Sequence, residues 1–141
     1  MDNLDQMQIL AEVLGIEKPR DQLALIEIAR TGLPGHSLDL LAKSLGLSMF
    51  ELSKLFNVSS RTLLRHRKQL LGIRLTGRAL TIGKVIALAT EVFQDSDKAR
   101  MWLKSRCDEL NSRPIDLLET TVGSGLVMET LASVKVNSSV S

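Results

Sequence analysis

Seven residues in one short segment have the types and spacing to grip a nucleic acid. Ser59, Ser60, Arg61, Thr62, Leu64, Arg65 and Lys68 bring hydroxyls, cations and one apolar side chain together. A guanidinium presents paired N–H donors that match guanine O6 and N7, the role open to Arg61 or Arg65. Ser59, Ser60, Thr62 and Lys68 suit phosphate, which fixes register without reading sequence. On a helix, Ser59, Ser60, Arg61, Leu64, Arg65 and Lys68 share the outward face. Arg67 leaves that face and is placed to pair with an acid or a flanking phosphate. His66 turns toward its own domain, where a packed or half-buried histidine is expected rather than a ligand.

The surrounding charge supports this reading. From Leu52 to Thr90 the chain carries Lys54, Arg61, Arg65, Arg67, Lys68, Arg74, Arg78 and Lys84 and no Asp or Glu, while both flanks are net acidic. The formal charge of +2 therefore conceals a basic middle between acidic arms. Such segregation points to a nucleic acid or a strongly acidic partner. Arg74, Arg78 and Lys84 lie beyond the reading segment and are expected to hold phosphates at most. With three Phe, one Trp and no Tyr, the chain lacks the stacking platforms of single-strand readers.

Other chemistries find little support. Cys107 is the one cysteine, so no disulfide forms within the chain, and its apolar register suggests a buried, inert thiol. His36 lies in a Gly/Pro loop with no second histidine near, so no metal is expected. No Ser–His–Asp order or paired-carboxylate pocket stands out, so neither an enzyme nor a cofactor is expected. The first residues are acidic where a secretory signal would be basic, and no apolar run approaches ~18 residues. A cytoplasmic protein away from membranes is the expectation.

The elements that must position these residues are helices throughout, an all-α fold. Apolar periodicity places helices near 3–15 (Leu4, Met7, Leu10, Ala11, Leu14), 21–31, 38–45 and 79–94. Another spans Ala99 to Leu110, and Pro114 opens a short one to Thr121. Gly123-Ser124-Gly125 reads as a break, and Val127, Leu131 and Val134 carry the last helix before a fraying tail, 136–141. Within 49–68, Ser48 and Glu51 form a capping box for a helix near 49–56. Asn57 supplies a left-handed turn, and Ser59 or Ser60 caps a helix near 61–71. Ser53 is the small residue the close crossing needs, Val58 seals the corner, and Leu52, Phe56 and Leu63 form its core. These are the demands of a helix–turn–helix whose second helix enters the major groove. Such motifs normally work in pairs, so a homodimer is expected, through segment 3–15 or helix 79–94.

The C-terminal third carries a second pattern. Ala99-Arg100-Met101-Trp102-Leu103, Leu110, Pro114-Ile115-Asp116-Leu117-Leu118-Glu119-Thr120, Gly123 and Val127 follow in order. Gly32-Leu33-Pro34, Ser60-Arg61-Thr62-Leu63 and Glu91-Val92-Phe93 precede them. Together these resemble antitoxins of the Xre/MbcA/ParS type over residues 23–131. The N-terminal helix before that span, 1–22, is read as a candidate oligomerisation arm. The resemblance implies an Xre-like helix–turn–helix domain, 23–95, on operator DNA. It also implies a small C-terminal helical domain, 96–141, that binds a RES-domain toxin and blocks its NAD pocket. Trp102, Leu118, Val127, Met128, Leu131 and Lys135 are the toxin contacts it suggests, although Trp102 at helical spacing also fits a core. From the residues alone, a stand-alone transcriptional regulator and an interaction module without DNA binding remain open.

Overall fold

Side-chain caps open most of the helices. Asp5 accepts from the Met7 N–H and starts α1 (Gln6–Leu14); Asp21 accepts from Ala24 and starts α2 (Gln22–Thr31). Then come α3 (Ser37–Leu45), α4 (Met49–Leu55), α5 (Ser60–His66), α6 (Ile73–Phe93) and α7 (Ser96–Lys104). A 3₁₀ turn (Pro114–Leu117) leads into α8 (Thr121–Val140). This computed structural model describes residues 5–140, with side chains to 137; Leu4 of the first apolar segment lies outside them. Among the described residues there is no strand, only the isolated bridges Pro34–Leu70 and Cys107–Ser112.

Helix α6 is the spine. Leu75, Ala79, Ile82, Val85, Ile86 and Ala89 are buried on several of its sides, the pattern of a helix enclosed by others. It packs against α1, α2, α3, α7 and α8. Gly83 lets α1 approach, since a Cβ there would lie 2.8 Å from the Leu10 side chain. The chain reverses at Gln94 (φ 54°), between α6 and α7. The core nevertheless passes straight through that junction. Ala99, Leu103, Ile115, Leu118, Val127 and Leu131 belong to the same buried cluster as Ile9, Leu41, Leu63 and Ile86. Each fully buried side chain of this size contributes about 1.5–3 kcal/mol, so both ends of the protein stand on one foundation.

Several boundaries differ from the expected ones. α6 starts at Ile73 rather than near 79, because Gly77 faces open space and the helix runs through it. α5 stops at His66 rather than 71, because the following turn is fixed from outside. Leu71 N–H donates to the Leu33 carbonyl at 2.8 Å, and the carbonyls of His66, Arg67 and Gln69 close over Gly35, where no Cβ fits. α7 ends at Lys104 rather than 110, since Cys107 and Ser112 pair through their backbones and Asn111 turns with φ 53°. Cys107 itself is half-buried rather than buried. Gly123-Ser124-Gly125 does not break the chain: it lies in the first turns of α8, and Gly123 lets that helix rest on the Leu117 carbonyl. α8 runs to Val140 and so includes residues 136–140.

Candidate nucleic-acid and partner interfaces

Local chemistry sets the angle between α4 and α5. Ser48 and Glu51 make the reciprocal capping box, at 3.1 and 2.9 Å. The Ser48 N–H and hydroxyl, with Lys104 and Arg113 nearby, hold the Glu51 carboxyl below its ordinary value. Leu52, Phe56 and Leu63 are buried at the crossing. Ser53 is small enough to be buried there as well, its hydroxyl donating to the Phe50 carbonyl at 2.6 Å. Asn57 takes φ 56°, and Val58 N–H closes the corner on the Ser53 carbonyl.

The second helix then offers a basic outer face. Arg61, Leu64 and Arg65 are exposed on it, and Lys68, expected on the same helical face, is exposed in the turn beyond its end. The Arg61, Arg65 and Lys68 side chains make no ion pair or hydrogen bond with any described residue. Leu64 sits among them, 42% exposed. Ser59 caps the helix by accepting from Thr62 N–H at 3.1 Å, and its own hydroxyl donates to Thr62 Oγ1 at 2.9 Å. Ser60 and Thr62 are half-buried. Arg67 pairs with Asp39 at 3.0 Å, and half-buried His66 shares a 2.8 Å hydrogen bond with Gln69. Lys54 lies over the Phe50 ring on α4, 4.7 Å from its centroid.

Beyond α5 the basic residues separate. Arg74 and Lys84 are exposed. Arg78, expected to hold phosphate if anything, is turned inward. It donates to the carbonyls of Leu55, at 3.1 Å, and Leu118, and burial pushes its guanidinium below its ordinary value. Asn57 Nδ2 donates to the Glu119 carbonyl at 2.8 Å. Two side chains therefore tie the helix–turn–helix corner to the segment that launches α8. No sequence pattern marks these ties, because their acceptors are backbone carbonyls far away in the chain.

The expected partner residues fare differently. Leu118, Val127 and Leu131 are fully buried and present no surface. Trp102 is half-buried, its ring 6.0 Å from Phe93. Met128 edges a small groove with Met7, Leu10, Leu25 and Leu88. Lys135 is exposed and pairs with Glu91 at 3.0 Å. Among its described side chains, the large apolar residues of α8 that do face solvent are Val122 (76% exposed), Leu126 (45%) and Val136 (59%). With exposed Glu129 and Ser133 they form one stripe along α8, spaced alternately four and three residues apart. α8 thus carries apolar side chains on two opposite sides, so periodicity alone admits either stripe as the outer one.

Among the described residues, no group of His, Cys, Asp or Glu is arranged to hold a metal ion. No helix there is long and apolar enough to cross a membrane. Compared with known families, residues 24–82 match the antitoxin Xre-like helix-turn-helix domain. Residues 88–135 match the antitoxin Xre/MbcA/ParS C-terminal toxin-binding domain. Among curated proteins, none matches this sequence.

Proposed function

This chain belongs to the Xre/MbcA/ParS-type antitoxins, and from that membership we propose that it neutralises a RES-domain toxin and represses its own operon. In this reading the toxin consumes NAD or transfers ADP-ribose from it, and the antitoxin blocks the NAD pocket by direct binding in the cytoplasm. The chain needs no catalysis of its own for this. As a homodimer it lays α5 into successive major grooves, paired half-sites about one turn (~34 Å) apart. Arg61 and Arg65 read guanine, Leu64 meets a thymine methyl, and Lys68 with the α5 first turn holds phosphate.

The toxin contact moves with the geometry. Leu118, Val127 and Leu131 are committed to the core. Val122, Leu126 and Val136 are therefore assigned the contact, with Ser133 between them and Met128 and Lys135 at its margins. An amphipathic helix that lays an apolar stripe into a groove is a common recognition mode. Glu129, the one charge in that stripe, suits a cationic pocket built for a dinucleotide's phosphates.

The observation that carries the reading is one core bearing two unlike open faces, a basic one on α5 and a mainly apolar one on α8. Co-expression with the RES reading frame of the same operon tests it. Cellular NAD is expected to hold steady with the intact chain and to fall with Leu126→Asp. NAD depletion beside the intact chain would rule out neutralisation. Operator binding is tested separately by salt titration, where affinity should fall steeply with ionic strength.

A further inference from the structure

We infer that the outer face of α2 is where two copies of this chain meet, which rests on the operator-binding reading above and supplies the dimer it requires. The two segments that the sequence offered for that role, 3–15 and 79–94, expose no large apolar side chain among the described residues. α1 buries Ile9, Leu10, Val13 and Leu14, and α6 is packed against five other helices. α2 buries Leu25 and half-buries Ile28 and Ala29 on its inner side. On its outer side Leu23 (70% exposed), Ile26 (45%), Glu27 and Arg30 fall along one helical stripe. Leu70, also exposed, continues the apolar surface, because its side chain lies beside Gly32 at the end of the same helix.

The stripe is complementary to itself. Glu27 and Arg30 lie 3.7 Å apart, both largely exposed, so the face holds one charge of each sign beside two apolar side chains. A two-fold axis midway between Glu27 and Arg30 brings two such helices together antiparallel. Each Glu27 then lies opposite the partner's Arg30, and Leu23 and Ile26 face the end of the partner helix, where Leu70 sits beside Gly32. Self-complementarity of this kind is what an isologous contact demands. A phosphate backbone would be repelled by Glu27 and would leave Leu23 and Ile26 without apolar cover. The occupant is therefore a second copy.

Sedimentation of the full chain over a concentration series tests the assignment. The native chain is expected to form a reversible dimer. Ile26→Glu should weaken it by about tenfold or more while leaving the thermal melt of the dilute, monomeric chain unchanged, because Ile26 is exposed in the single chain. Glu27→Arg should weaken it as well, and adding Arg30→Glu should restore it by exchanging the two signs. A native chain that stays monomeric overturns the assignment. So does a dimer indifferent to Ile26→Glu, or a loss of operator affinity in that variant with self-association intact. Toxin capture is measured on the same proteins. Its loss in the native chain would refute the antitoxin reading without altering the sedimentation result.

Discussion

α5 and the turn after it expose Arg61, Arg65 and Lys68 around Leu64; one side of α8 exposes Val122, Leu126 and Val136 around Glu129 and Ser133. The first face acts at a distance. Unpaired cations draw a polyanion over roughly a Debye length, ~8 Å at physiological salt, and lose that pull as salt rises. The second acts mainly on contact, through apolar area removed from water, and responds far less to salt. α5 is a single short helix fixed by a cap and a tight corner. α8 is a long helix whose inner side forms part of the core. A site that must reach into a groove is held on a small rigid projection, whereas one that must cover a partner surface is laid along a broad support.

The largest effect should come from introducing a charge into the apolar part of the α8 stripe. Leu126→Asp or Val122→Asp is expected to weaken toxin binding by at least about 2 kcal/mol, the size of an interface hot spot. Because both positions face solvent, the melting temperature and operator affinity should stay near native values. Titration calorimetry with the toxin decides it; unchanged affinity in both variants would move the contact off this stripe.

Next come the cations of α5 and of the turn after it. Arg61→Ala and Arg65→Ala should each cost about 1–3 kcal/mol of operator affinity and relax preference at the base they read. Lys68→Ala should weaken all sequences alike and lower the salt slope by about one. None of the three should alter toxin binding. If Arg65→Ala also impairs it, the two faces are not independent.

Legibility from sequence follows the same division. The helix–turn–helix was readable because its determinants are local. Ser48 with Glu51, Ser53, Asn57 and the Leu52–Phe56–Leu63 corner all lie within a few residues of their partners. The α8 surface was not readable, because Val122 and Leu126 recur with the same helical spacing as Val127 and Leu131. Only the packing of α8 on α6 and the 3₁₀ turn decides which set faces water. Glycines misled for a related reason. Gly123 reads as part of a break, yet it is needed for close approach to Leu117, and α6 begins before Gly77 and runs through it. Arg78 shared its sequence neighbourhood with the DNA-facing arginines and differs only in having carbonyls within reach.

Arg78 is therefore the residue that most directly tests how separate the two faces are. Its guanidinium donates to Leu55, at the end of α4, and to Leu118, just before α8. Arg78→Met keeps the stem and leaves those carbonyls without that donor. It should lower stability by about 1–2 kcal/mol, toward the low end for charged hydrogen bonds because the group is only partly buried. Denaturant unfolding measures it. A variant as stable as the native chain would mean that the core and the Asn57 hydrogen bond hold the halves together without Arg78.

The smallest expected effect concerns Glu51, which caps α4 on the DNA-reading side and feels Lys104 and Arg113 from the other end of the protein. Its folded carboxyl lies below its unfolded value, chiefly because the Ser48 N–H donates to it. A depressed carboxyl contributes stability that is fully present above the unfolded value and is lost as pH falls through the folded one. Asp5, Asp95 and Asp116 are shifted the same way, by hydrogen bonds from Lys18, from the α7 first-turn N–H groups and from Arg113. The melting temperature should thus decline below about pH 4, where ordinary carboxylates take up protons. Glu51→Gln keeps the capping geometry, since glutamine also serves that position, but removes the titration. Its decline should be slightly shallower than that of the native chain. Superimposable profiles would mean that Lys104, Arg113 and the cap add nothing that depends on the Glu51 charge.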